Sequence, residues 1–201
     1  MKICLIQTYL PSVINFRGYL LDKLIEEGDK VWVLCPTNNS FKNYEEILYS
    51  KGITFIPLNM DRLSMNIISE ISLLKQILSS LNSINPNIII AFHPKALIYT
   101  GIILSIMKIF QKNNNISYFP VITGAGTLFD DKKKNLKSFS RRILIKILYR
   151  IGLRQAKTII FQNEDDIREF KLSRILKADY KVKRVYGSGV SLDKFPPKPI
   201  P

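Results

Sequence analysis

Residues 3–36, ICLIQTYLPSVINFRGYLLDKLIEEGDKVWVLCP, place two short apolar runs, 3–6 and 31–35, on either side of a segment with helical spacing. In that segment Leu20, Leu21, Leu24 and Ile25 form one apolar stripe, and Gly28 stands where a residue just past a helix C-terminus is expected. The flanking runs are continuously apolar instead of alternating, which suits strands buried on both faces of a parallel sheet. The stretch therefore reads as strand, crossover helix, parallel strand.

The same pattern repeats outward. Further apolar runs occupy residues 54–57, 88–92, 118–123, 158–162 and 181–186, and helical spacing predicts helices over 41–50, 65–81, 96–110, 139–153 and 165–170. Strands alternating with helices predict an α/β fold, a Rossmann-like doubly wound parallel sheet with helices on both faces. Such sheets bind ligands beyond the carboxyl ends of their strands. That rule gathers residues 7–17, 36–39, 93–95, 123–127, 162–166 and 187–190 on one rim. Residues 1–190 are expected to form one domain, and the proline-rich end, KFPPKPIP, reads as part of a linker over 191–201 toward a further domain.

With 46% apolar residues the 201-residue chain can bury a sizeable core, so disorder is not the expected state. The formal charge of +14 favours an anionic partner: a membrane surface, a nucleic acid or a phosphorylated small molecule. Cys4 and Cys35 sit inside apolar runs without metal-ligand spacing, which predicts buried thiols and a reduced, intracellular setting. His93, Pro94 and Lys95 interrupt the apolar stretch 88–110, leaving runs too short for the roughly 20 residues of a span.

Each local motif has a functional and a structural reading. Gly124 and Gly126, in VITGAGTLF, end a strand either as a tight turn or as a place where backbone approaches a ligand closely; the spacing alone favours the turn. Gly187, Ser188 and Gly189 are equally ambiguous. Asn15, Phe16, Arg17 and Gly18 are expected to open the first helix, where free N–H groups favour anions, with Asn15 as a simple cap and Arg17 as a solvated charge as the alternative. His93, the single histidine, ends a strand and is a candidate general base or hydrogen-bond donor, or else a structural residue. From 132 to 157 there are ten basic residues and no acidic one. Arg142, Lys146, Arg150 and Arg154 recur every fourth position, with Phe139, Ile143, Leu144, Ile147, Leu148 and Ile151 expected on the other faces. The helix is read either as one lying on anionic lipid or as an ordinary solvated helix.

In order and spacing, NFRGYLLDKLIEEGDKVWVLCP, AFHPKALIYTGIILS, VITGAGTLF, FQNEDDIREF and GSGVSLDKFPP together resemble the N-terminal, acceptor-side domain of GT-B-fold, family-4 glycosyltransferases of bacterial surface polysaccharide synthesis. The resemblance covers the whole chain. It implies transfer of a hexosyl or N-acetylhexosaminyl group from a nucleotide-sugar donor to a lipid-linked saccharide acceptor, with no cofactor and no essential metal. It also implies a cytoplasmic protein held peripherally at the inner face of the cell membrane. On this reading Asn15, Phe16, Arg17, Lys95, Thr123, Gly124 and Gly126 bind acceptor or substrate, and His93 is the catalytic candidate. Asn163, Gly187, Ser188 and Gly189 lie at the domain junction on the donor side. Arg142, Lys146, Arg150 and Arg154 face the membrane. Many relatives carry a histidine where this chain has Thr123–Gly124, and the second domain with its paired glutamates does not follow, so the chain alone is expected to be inactive. The alternative is a non-catalytic subunit that binds acceptor or membrane and pairs with a separate donor-binding chain. Nucleic acid is not an expected partner, because its aromatic-rich binding motifs are missing.

Overall fold

The computed structural model describes residues 1–60, 66–110, 115–124 and 136–189. Gly126, the lysines at 132–134, Val190 and the predicted linker at 191–201 lie outside those residues. Seven strands form one sheet: β1 (Lys2–Ile6), β2 (Lys30–Cys35), β3 (Thr54–Pro57), β4 (Ile88–Phe92), β5 (Ser117–Ile122), β6 (Ile159–Phe161) and β7 (Val182–Arg184). Their order is β3-β2-β1-β4-β5-β6-β7 and every pairing is parallel. The helices are α1 (Leu10–Glu26), α2 (Lys42–Ser50), α3 (Ile67–Ile84), α4 (Pro94–Phe110), α5 (Leu136–Leu153) and α6 (Glu164–Leu172), with a 3-10 turn at Asn39–Phe41.

Continuous apolar strands have a direct cause here: alternate residues feed two different cores. Cys4, Ile6, Leu34, Ile89, Ala91, Tyr118 and Phe161 join one core beneath α3, α4, α5 and α6. Ile3, Leu5, Val31, Val33, Cys35 and Phe92 join the other, beneath α1 and α2. Both faces need apolar side chains, so the period-2 signal of a one-sided sheet disappears.

The chain leaves β1 toward β2 and β3 on one side, and returns through α3 to β4 on the other. The crevice of a doubly wound sheet opens at that reversal, between the carboxyl ends of β1 and β4. Gln7 follows β1 and His93 follows β4, so these two residues flank it.

The first helix corrects the sequence reading. It begins at Leu10, with Tyr9 as its extended N-cap, so Asn15–Gly18 lie in its interior. Pro11 fits this start: proline at the first helical positions costs nothing, because its missing N–H is one of the donors left unpaired there. The Asn15 cap is therefore withdrawn. The Arg17 alternative goes too, since that side chain is buried.

Helices α4 and α5 touch through glycine. A Cβ built on Gly101 would lie 1.8 Å from the Gly152 carbonyl oxygen, and one on Gly152 would lie 2.7 Å from Ile98 Cα. This close approach turns Tyr149, Gly152 and Leu153 inward. It leaves Ile143, Leu144, Ile147 and Ile151, expected on the faces away from the basic residues, 41–46% exposed. No helix among the described residues is long and apolar enough to cross a membrane.

Candidate functional site

The rim at the carboxyl end of β1 is built from short, buried polar side chains. Gln7 is fully buried; its Oε1 accepts from Ser12 Oγ at 2.8 Å, which leaves Nε2 without a partner. Ser12 Oγ also lies 2.7 Å from the Tyr9 carbonyl. These contacts fasten the first turn of α1, which has no side-chain cap, to the end of β1.

Arg17 lies one turn and a half further along α1 and points into the crevice. Its guanidinium carbon stands 4.2 Å from the Phe92 ring centroid, a cation–π contact at the end of β4. One terminal nitrogen donates to the Phe16 carbonyl and to Ser188 Oγ, while Nε is buried and unpartnered. Burial lowers the guanidinium pKa to about 10, so it stays protonated at neutral pH. Gln162 Nε2 donates to the same Ser188 oxygen at 3.2 Å. Arg17, Phe92, Gln162 and Ser188 thus converge from α1 and from the ends of β4, β6 and β7. Gly187 and Gly189 flank Ser188 at φ +73° each, a backbone that glycine adopts without strain.

His93 forms a second group with Thr123, whose Oγ1 lies 3.5 Å from Nδ1. The connection from β4 to α4 is this single residue, and it takes φ +68°, a region that costs a β-carbon about 1–2 kcal/mol. Its carbonyl accepts from Leu97 N at 3.0 Å. Strain held at a strand end beside the crevice is typical of functional positions. Gly124, at φ +147°, continues the rim beyond Thr123.

Other predicted site residues have different surroundings. Lys95 Nζ lies 2.7 Å from Glu70 Oε1, with side chains only 15% and 17% exposed, so it ties α4 to α3. Tyr99 donates to the other Glu70 oxygen, and its phenol is raised by burial first and then by that carboxylate. We expect Glu70→Gln to lower unfolding stability by roughly 1–3 kcal/mol in urea titration, the scale for losing charge-assisted bonds in a half-dry site. Asn163 caps α6, accepting from Asp166 N at 2.7 Å, instead of facing the crevice cluster with a free amide. Asn15 and Phe16 lie on α1, with Phe16 57% exposed. Gly126 falls outside the described residues.

Gln7, Phe92 and Gln162 were not singled out in the sequence as site residues. Their signal was positional: each is at or next to the carboxyl end of a strand.

On the opposite face of the sheet, α5 presents Ile143, Leu144, Ile147 and Ile151 to solvent beside Arg142, Lys146 and Arg150. Arg154 stands just past the helix end, and Arg150 Nε donates to the Arg174 carbonyl at 2.9 Å. Apolar and basic side chains therefore share one exposed surface.

Residues 2–163 match the family described as glycosyl transferase 4-like. No curated protein sequence matches significantly. Among solved structures, Anabaena HepE in complex with UDP and glucose aligns with a TM-score of 0.61 at 14% identity, over 96% of this chain and 46% of that one. A glycosyltransferase from Rickettsia africae gives 0.61 at 15%, over 97% and 45%. A UDP-GlcNAc 2-epimerase from Methanocaldococcus jannaschii gives 0.57 at 14%, over 92% and 45%. At such identities the likeness is one of fold, and the chain spans about half the length of these structures.

Proposed function

Because the chain belongs to the glycosyl transferase 4-like family, we propose that it is the acceptor-side half of an enzyme transferring sugar from a nucleotide-sugar to a lipid-linked saccharide. Transfer of a hexosyl or N-acetylhexosaminyl group at a membrane surface, in polysaccharide synthesis, is the specific form of this reading. The observation that carries it is the outer face of α5, where four exposed aliphatic residues lie among basic ones. An amphipathic helix of this kind can rest in the headgroup region, with aliphatic side chains in the acyl boundary and cations against anionic lipid. A lipid-linked acceptor would then be met where it resides.

In this reading the crevice between β1 and β4 receives the acceptor. His93 is the candidate to take a proton from the attacking hydroxyl, oriented by Thr123, and Gly124 lets a substrate approach the backbone. Electrostatic stabilisation of the leaving diphosphate is a task for fixed donors, without a metal. A donor-binding domain is required for turnover, either later in the same polypeptide or on a partner chain.

The test is a transfer assay with the 201-residue chain and with the same chain joined to a donor-binding domain. The expected result is transfer by the joined form and little or none by the short chain. Robust transfer by the short chain would refute the half-enzyme reading, and conversion of the nucleotide-sugar to its epimer without any acceptor would refute transfer itself.

A further inference from the structure

The cluster around Arg17 is chemically one-sided. The Arg17 residue is 8% exposed, yet no acidic side chain pairs with it among the described residues. A buried cation normally has a counter-charge, because removing it from water alone is costly. Its contacts to a carbonyl, a hydroxyl and a ring face are neutral, and Nε has none.

Ser188 adds to the imbalance. Its oxygen accepts from both Arg17 and Gln162, so both lone pairs are engaged and its own hydroxyl proton remains to be donated. Ser188 is exposed, so that proton is open to solvent. A cation, a hydroxyl donor and an amide donor meet where the acceptors are neutral and, among the described residues, no anion stands.

From this convergence we infer that Arg17, Ser188 and Gln162 form an oxyanion site, taking a phosphate or carboxylate group of a ligand at the mouth of the β1–β4 crevice. Arg17 supplies the charge and the planar fork, and Ser188 the hydrogen bond from the outer side. Phe92 holds the guanidinium plane from below. The inference rests on the reading above only for the crevice being where ligand binds, and it names the group recognised there: a diphosphate or an acidic sugar.

The experiment is isothermal titration of the 201-residue chain at 150 mM salt with two probes, inorganic pyrophosphate and glucuronate, which separate the two sources of the oxyanion. Saturable binding of either is expected. It should fall at least tenfold in Arg17→Gln and at least threefold in Ser188→Ala. Lys30→Gln, which removes the same charge from an exposed position at the opposite end of the sheet, should leave it unchanged. If Arg17→Gln does not fold, Ser188→Ala decides alone, since it alters only an exposed side chain. Absence of saturable binding, affinity unchanged in Ser188→Ala, or equal losses in Lys30→Gln and Arg17→Gln would overturn the site. Transfer by the joined enzyme without anion binding here would remove this inference and leave the transferase reading. Anion binding without transfer would do the reverse.

Discussion

Replacing Gly101 by alanine is expected to destabilise the domain by about 3 kcal/mol, the upper end for forcing atoms into a filled interior. For a chain of this size that corresponds to a Tm loss of roughly 6–12 °C. The magnitude follows from what the new methyl would meet: the Gly152 carbonyl oxygen at 1.8 Å, followed by two further backbone atoms of Gly152 at 2.4 and 2.6 Å. Backbone cannot rotate aside as a side chain can, so α4 and α5 would have to separate. Separation would loosen Tyr149 and Leu153 from the core they share with Leu97, Ile98 and Leu104. Gly18→Ala is the matched control, with nothing within 4 Å of the new carbon and a place inside α1. It should raise stability by roughly 0.5–1 kcal/mol. Calorimetry on the two variants checks the pair; a Gly101→Ala melting point within 2 °C of the parent, against the ~6 °C minimum expected, would show that the helices do not meet as described.

Reversing Arg142, Lys146, Arg150 and Arg154 to glutamate is expected to abolish binding to vesicles rich in anionic lipid. Each basic residue near such a surface contributes about 1 kcal/mol, so losing four attractions weakens binding by roughly a thousandfold before repulsion is added. Salt should act in the same direction on the parent protein, since surface charges are screened within about 8–10 Å at physiological strength. The aliphatic side chains give a separate handle. Ile143→Ser with Ile147→Ser removes apolar burial, and should weaken the part of binding that survives high salt. Arg150 also donates to the Arg174 carbonyl, so its reversal costs roughly 1 kcal/mol of fold stability and melting points must accompany the sedimentation data. A parent chain that ignores anionic vesicles at low salt would show the α5 face to be ordinary surface.

The architecture was legible because its signals are local and redundant. The run from Ile3 to Ile6, the stripe through Leu20, Leu21, Leu24 and Ile25, and the run ending at Cys35 each constrain only a few neighbours. All of them agree with β1, α1 and β2. Errors arose where a residue's meaning depends on distant parts of the chain. Asn15 reads as a cap until the helix is known to begin at Leu10. On α5, apolar residues occur on nearly every face, so spacing reveals a helix but not its orientation. The contact with Gly101, on another helix, decides which side goes in. Arg17 is the extreme case, because its Ser188 partner is 171 residues away and nothing local distinguishes it from a solvated arginine. The strand-end rule put Arg17 on the rim and the resemblance put it in the cleft, but its burial came from the fold.

The division of the interior into two cores has a consequence for how this domain can vary. Side chains facing α5 and side chains facing α1 are separated by the sheet, and alternate residues of one strand serve opposite layers. Changes in the two layers share few contacts, so their free-energy effects should add. Substitutions in the layer beneath α5 can therefore accumulate without disturbing the layer beneath α1, and the reverse. The sheet acts as a partition between two independently adjustable layers.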